Sequence, residues 1–259
     1  MKMEIPEKFI KIFPEYEDVF YDDLENHKKY FLPLCSINLA FLSKDKEQWL
    51  HFISVKEIYD GRVGENTKSF HTDYTKSDMF GFDVIDGKYK FDASWEYFTV
   101  STEILPENYH LEYTDREIQF NFNNAMYLLK KSYYEKYGKL YDRVFYRPGL
   151  TVEGIRKLER LLKLTPEDLQ KDEPSDYLSD RINEKINGIL TEINVDNITL
   201  TDCECSGENL INVPIKPNGN IFNYVGCIEG YDFQKDAADQ IYLFYDDDIK
   251  KAVICFEYT

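Results

Sequence analysis

The residues whose types and spacing best suit chemistry are acidic. Glu229, Asp232, Asp236 and Asp239 fall close together and are interleaved with Tyr231 and Phe233. Carboxylates beside large aromatic side chains are what a docking site for a basic protein partner needs. Charge speeds the encounter, and rigid aromatic groups hold the complex. The same carboxylates would also keep the end of a sheet soluble, and the sequence leaves both readings open. Asp246-Asp247-Asp248 carries oxygen ligands for a divalent cation. Consecutive residues of a turn seldom converge on one ion, so a solvated turn is expected. Cys203 and Cys205 form a C-x-C pair. Structural zinc sites bring two pairs, usually spaced C-x2-4-C. No second pair exists, and His27, His51, His71 and His110 are scattered, so no metal site is assigned. No Gly-x-Ser-x-Gly elbow, His-Glu-x-x-His pair or phosphate-binding glycine loop occurs. No catalytic residue and no cofactor is assigned.

The elements that position these groups read as follows. Pro6 suits the first turn of a short helix through Phe9, Ile10 and Phe13. An acidic helical stretch is predicted from Glu15 to Asn26. Phe31 to Ile37 and Trp49 to Val55 are apolar runs separated by polar residues, as neighbouring strands are. Met79 to Ile85, the dipeptide Asp86-Gly87 and Tyr89 to Asp92 make a hairpin with a tight turn. Trp95 to Ile104 reads as a further strand-like run. Ile118 to Phe122 alternates with period two, which predicts a half-buried strand. Asn123 or Asn124 then caps a helix through Tyr137 that stops at Gly138. Thr151 and Thr165-Pro166 begin two further helices. Ser175 caps a longer one whose apolar stripe runs from Leu178 to Ile193. Short strands follow at 198–200, 210–215 and 221–228. A final hairpin pairs Ile241 to Tyr245 with Ala252 to Tyr258.

Composition bounds the whole. The chain has 259 residues, a formal net charge of −17 and 16% aromatic residues. Disordered chains combine high charge with few aromatics, so this negative charge belongs to the surface of a folded globule. A chain of this length buries about three-quarters of its unfolded surface. Its opening residues carry charges where a signal peptide is apolar, and no long apolar run could span a membrane. A cytoplasmic location and reduced thiols are expected. The acidic balance opposes binding to nucleic acid and to anionic membranes, both of which call for Lys and Arg. One segment is locally basic: Tyr133, Tyr134, Tyr137, Tyr141 and Tyr146 lie among Lys130, Lys131, Lys136, Lys139, Arg143 and Arg147. It could take an anionic ligand or the acidic face of another copy of the chain. An amphipathic helix with snorkelling lysines is the expectation.

Two resemblances add to this. Leu150 to Ile155, running on to Leu164 to Leu169, is similar to the helix-turn-helix region of some repressors. Acidic and basic residues there nearly balance, so two ordinary capped helices are expected and DNA binding is not. Residues from position 35 also echo those from 227 at a constant offset. Cys35 falls on Cys227, Phe41 on Phe233 and Phe52 on Phe244. Within that echo, Leu34-Cys35-Ser36-Ile37-Asn38-Leu39 followed by Trp49-Leu50-His51-Phe52-Ile53-Ser54 resembles the first half of the bacterial YwqG-like family (domain of unknown function 1963). Ser36 stands where that family has glutamine. Gly226-Cys227-Ile228-Glu229 with Ile241 to Tyr245 is similar to its second half. The resemblance implies a mixed α+β fold and carries no activity and no site residue.

Together these readings predict one α+β domain over residues 1–259. A mostly antiparallel mixed sheet is built from both chain ends, with a helical segment at about 123–193. The expected function is a non-enzymatic acidic module that binds a basic protein, for instance an immunity-type protein covering a basic toxin. The alternative is an enzyme or small-ligand protein whose site is assembled from scattered residues. Cys35, Cys227 and Cys255 lie in apolar runs and are expected to react slowly with a thiol reagent under native conditions. Cys203 and Cys205 are expected to react first. Mass spectrometry of a labelling time course checks the order, and fast modification of Cys35 or Cys255 in the folded protein would contradict it.

Overall fold

A computed structural model describes residues 5–42, 44, 47–58, 63–100, 115–141, 152–171, 192–193 and 213–258. The architecture is α+β, with two antiparallel sheets and a long helix between the chain ends. The first sheet has the order β1-β2-β3, from β1 (Ile10–Ile12), β2 (Phe31–Asn38) and β3 (Trp49–Val55). The second has the order β5-β4-β9-β8-β7-β6. Its strands are β4 (Met79–Ile85), β5 (Lys88–Phe91), β6 (Glu192–Ile193), β7 (Asn223–Ile228), β8 (Gln240–Asp246) and β9 (Lys251–Glu257). Both chain ends therefore supply strands, as the sequence predicts. They form two sheets rather than one.

The inner faces of the sheets share one core. Phe31, Leu50 and Phe52 from the first sheet join Phe80, Phe82, Leu243 and Ile254 from the second. Phe31 is completely buried, and its ring lies within 5.1 to 5.3 Å of the Phe82, Phe91 and Phe98 rings in edge-on contacts. The outer face of the second sheet is buried as well, in a cluster of Met79, Phe222, Tyr224, Cys227, Tyr242, Phe244, Val253 and Cys255. Burial of both faces explains why β8 and β9 read as continuous apolar runs rather than as alternating ones.

The Asp86-Gly87 turn takes the expected form. Both residues have positive φ, 51° and 76°, the signature of the type I′ turn that suits the twist of a hairpin. The helical readings hold in part. The opening helix is a single 3-10 turn, Glu7–Phe9, and Ile10 begins a strand instead. The acidic stretch divides into α1 (Tyr16–Val19) and α2 (Leu24–Tyr30). Trp95–Tyr97 is a 3-10 turn; residues 101–104 lie outside the described residues. The helices α4 (Val152–Leu161) and α5 (Pro166–Lys171) fall where expected. At the start of α5 the Asp168 N–H donates to Thr165 Oγ1, while Asp168 Oδ2 accepts from the Thr165 N–H. That exchange is a capping box. Most of the helix predicted after Ser175 lies outside the described residues, and its last residue, Ile193, is in β6. The strand at 198–200 and residues 210–212 also lie outside them, and of 213–215 only Ile215 pairs, in an isolated bridge to Ile221.

One reading is corrected. Ile118 to Phe122 belongs to the helix α3 (Asp115–Tyr137), and Asn123 sits inside it rather than at its start. Two partners bury this helix from different sides. Ile118, Phe122, Met126, Leu129 and Tyr133 face a satellite cluster with Leu169, while Tyr127 faces the main core. A helix apolar on more than one side shows no clean 3.6 period, and over five residues it imitates alternation. Gly138 ends it with φ +66°, as expected of a C-terminal stop.

The echo also proves to have a different register. β3 begins at Trp49 and β8 at Gln240, 191 residues on. Both strands have seven residues, and each follows a 3-10 turn, Leu39–Phe41 in one case and Gly230–Asp232 in the other. Each hairpin carries a bulge, between Pro33 and Cys35 and between Tyr224 and Gly226. Ser36 pairs with His51 and Cys227 with Tyr242, so the matching residues are Ser36 and Cys227, not Cys35 and Cys227. Sequence identities put the offset one residue too long, and in a strand a slip of one exchanges the two faces.

β8 and β9 lie in the middle of the six-stranded sheet and contribute to both of its buried faces. Deleting residues 241–259 is expected to abolish cooperative unfolding of the whole protein, measured by circular dichroism and calorimetry. A truncated protein that still melts cooperatively near the original temperature would contradict the shared core.

Candidate functional site

A row of polar residues crosses the three-stranded sheet. Lys11 on β1 pairs with Ser36 on β2, and Ser36 pairs with His51 on β3. Directly opposed residues share a face, so these three side chains stand side by side. The β4–β5 turn is laid over them. His51 Nε2 donates to the Gly87 carbonyl at 2.8 Å, and Ser36 Oγ donates to His51 Nδ1 at 2.7 Å. The carbonyl can only accept, so the proton sits on Nε2 and Nδ1 is the acceptor. The Tyr89 hydroxyl accepts from the His51 backbone N–H at 2.9 Å, and the two rings meet edge-on. Above the row lies a cavity of about 160 Å³, also lined by Trp49, Asp18, Asp86 and Lys88.

Charges at its rim are paired yet accessible. Lys11 Nζ lies 3.1 Å from Asp18 Oδ2, both side chains being about half exposed, and sits 5.0 Å from the centre of the Trp49 ring. Lys88 Nζ donates to the Glu17 carbonyl at 2.7 Å. Burial pushes the His51 imidazole down to about 4, and the nearby Lys11 and Lys88 charges act in the same direction.

A hydroxyl, an imidazole and an orienting acceptor in series are the parts of a nucleophile–base pair. Their electrostatics oppose that use. Attack by Ser36 would hand a proton to His51, and burial makes that imidazole resist becoming a cation, against the opposing pull of the Gly87 carbonyl and the Asp18 charge. The series is better suited to forming a fixed polar floor. In the second hairpin the equivalent row is Glu192, Cys227 and Tyr242. There Cys227 and Tyr242 are packed into the apolar cluster, so the polar floor is a property of the first hairpin.

The acidic loop is placed differently from its sequence pattern. Glu229 and Tyr231 are exposed, Tyr231 by 46%. Asp236 and Asp239 are intermediate and Asp232 is buried. Phe233 is wholly buried, its ring 5.3 Å from that of Phe13, so it serves the core and not the surface. The loop is fastened to α3. Buried Lys130 Nζ donates to the Tyr231 and Asp232 carbonyls at 2.8 and 3.1 Å. Asn123 Oδ1 accepts from the Asp236 N–H at 3.0 Å, and Gln119 Nε2 donates to the Asp236 carboxylate at 3.0 Å. Gly230 passes so close to the Ala238 carbonyl that a Cβ would lie 2.5 Å from it. Burial raises the Tyr231 hydroxyl, and the Asp239 and Asp236 charges raise it further.

The remaining candidates are tied into the fold. Asp246 accepts from the Ile249 N–H and pairs with Lys216, and Asp247 pairs with Lys250. Among the described residues no group of three or more His, Cys, Asp or Glu is arranged to hold a metal ion. Cys35, Cys227 and Cys255 are buried free thiols; Cys203 and Cys205 lie outside the described residues. In the basic segment Lys131 pairs with Glu15, Lys136 contacts Glu167, and the Tyr133 ring meets Tyr137 and Tyr141. No helix among the described residues is long and apolar enough to cross a membrane. Comparison with protein-family models, with curated proteins and with solved structures finds no match.

Sequence reasoning set Ser36 and His51 aside, one as a departure from a family pattern and the other as a scattered histidine. Lys11, Ser36 and His51 share no periodicity. Only the pairing register of three strands brings them together, and the one local clue was two polar residues within apolar strands. His51 binds its proton in the unfolded chain near 6.5 and in the folded protein only near 4. Between those values the unfolded state holds more protons, so stability rises with pH and is lost as pH falls through the window. The His51 contribution is about 3 kcal/mol at about 1.4 kcal/mol per pH unit. Urea unfolding at about pH 7 and about pH 4.5 should show a smaller acid loss in His51→Gln than in wild type. His27, also held low by burial, keeps the loss from vanishing. Equal losses in the two proteins would contradict this account.

Proposed function

We propose that the chain is a protein-binding module of the YwqG-like kind whose acidic loop receives a basic protein. The carrying observation is the loop itself. A turn clamped from below by Lys130 holds Tyr231 out in solvent beside Glu229, with half-buried Asp236 and Asp239 in the same loop. A loop already ordered before binding loses little entropy on association. An exposed tyrosine among carboxylates suits a lysine or arginine, which can lie over the ring while its charge is neutralised. The net charge of −17 favours approach of a basic partner from a distance. An immunity-type role, in which a bacterial protein covers a basic toxin, is the concrete form we propose. Supporting the family reading are the quoted strand residues and the repeated, bulged hairpin at β2–β3 and β7–β8. Capture of partners from the native host at low and high salt is the first experiment.

With a partner in hand, replacing Glu229, Asp232, Asp236 and Asp239 by their amides should slow association more than it speeds dissociation. The effect should fade at high salt, because exposed charges are screened over about 8 Å at physiological ionic strength. Tyr231→Ala should chiefly speed dissociation. Phe233→Ala should instead destabilise the fold by about 3–5 kcal/mol, as loss of a buried phenylalanine does. Surface plasmon resonance and urea titration separate these effects. An association rate unchanged by the fourfold change would rule the loop out.

A further inference from the structure

The cavity over the polar row is separate from the acidic loop, and its lining is specific about what could occupy it. The most buried lining residue is Ser36, only 1% exposed, and its side chain offers the single polar atom Oγ. Its one proton is committed to His51 Nδ1, because His51 Nε2 must donate to the Gly87 carbonyl. Toward the cavity Ser36 can therefore only accept, and an occupant must present a donor there. The rim offers both kinds of partner. Each ammonium carries three donors, and one contact apiece is made to Asp18 and to the Glu17 carbonyl. The carboxylates of Asp18 and Asp86 supply acceptors.

Charge narrows the class further. Two cations and two carboxylates line the cavity, so the lining is neutral as a set. An anionic ligand would approach against the field of a chain carrying −17. A cationic ligand would lie beside Lys11, in the same row as Ser36. A neutral ligand meets neither obstacle. Hydroxyl groups donate and accept, so they match an acceptor floor and a mixed rim together. The partly exposed Trp49 ring adds an apolar wall for C–H groups. In size, a cavity of roughly 150 Å³ accepts a six-membered carbon ring, and this one measures about 160 Å³.

We propose that this pocket binds a small neutral polyhydroxylated molecule, a polyol or a single sugar ring, with one hydroxyl donating to Ser36 Oγ and others meeting the Lys88 and Asp86 side chains. The test uses the full chain with erythritol, xylitol and D-glucose as probes and lactate and ethanolamine as anionic and cationic controls, read by saturation-transfer NMR. Saturable binding is expected for at least one neutral probe, with a Kd of about 1 mM or below, the range open to so small a ligand. Ser36→Ala should weaken it roughly tenfold, the effect of one lost buried hydrogen bond. Lys88→Met, a change at the rim that leaves the core untouched, should weaken it without shifting the melting temperature. Tyr231→Ala should leave it unchanged. The proposal is overturned if the folded protein binds none of the neutral probes saturably. It is equally overturned if lactate or ethanolamine binds in preference, or if both pocket variants bind like wild type.

Discussion

All eight residues of β2 are buried, and that constraint governs much of what surrounds the strand. A strand buried on both faces must give every polar group a partner inside the protein, since an unpaired one costs about 1–3 kcal/mol. Ser36 meets this demand through His51, and His51 through the Gly87 carbonyl. The turn that supplies that carbonyl must in turn sit on the first sheet. The β4–β5 hairpin, which extends the second sheet, is thereby pinned to the first. Tyr89 adds to the joint, its hydroxyl accepting from the His51 N–H while its ring joins the common core. Two sheets that share no strand are thus tied by hydrogen bonds as well as by apolar packing.

The charge of the protein has a similar double use. Several carboxylates that look free in the sequence are internal fasteners. Glu57 is buried and accepts from the Thr99 and Val100 N–H groups at 2.9 and 2.7 Å. Asp92 shares Lys251 with Asp83. Asp236 holds the acidic loop to α3. Buried or half-buried, such groups are shielded from salt, whereas exposed pairs such as Lys28–Glu17 contribute little. The charge left to act at a distance is the exposed remainder, which includes Glu229.

What could be read from the sequence divides along physical lines. Local signals were legible: the Asp86-Gly87 turn, the Thr165 capping box, the Gly138 stop and the final hairpin each depend on residues near one another in the chain. The two-sheet arrangement was not, because nothing local says which strand neighbours which. The helix at Ile118 to Phe122 was misread because tertiary burial on two sides erased its period. The acidic segment reads as a loop, but the burial of Phe233 and the anchoring of Asp236 cannot be read there, because they depend on Phe13, Gln119 and Asn123, all more than a hundred residues away in the chain. For the cavity, the residue types were visible and the register was not.

The repeated hairpin shows how one scaffold supports two different outcomes. The strand lengths, the 3-10 turn and the bulge recur at 191 residues, so backbone geometry is nearly the same in both. The side chains in the equivalent row differ. Cys227 and Tyr242 belong to an apolar layer, and the Tyr242 hydroxyl reaches Glu257 at 2.9 Å. Ser36 and His51 instead border an open cavity. Close packing is the rule in protein interiors, and an unfilled space forfeits contacts. In the second hairpin large side chains fill the equivalent layer. In the first the space stays open, and the histidine beneath it resists protonation, which costs stability only at acid pH. The two hairpins thus differ in side chains and not in backbone: the first carries Ser36 and His51 where its twin carries Cys227 and Tyr242.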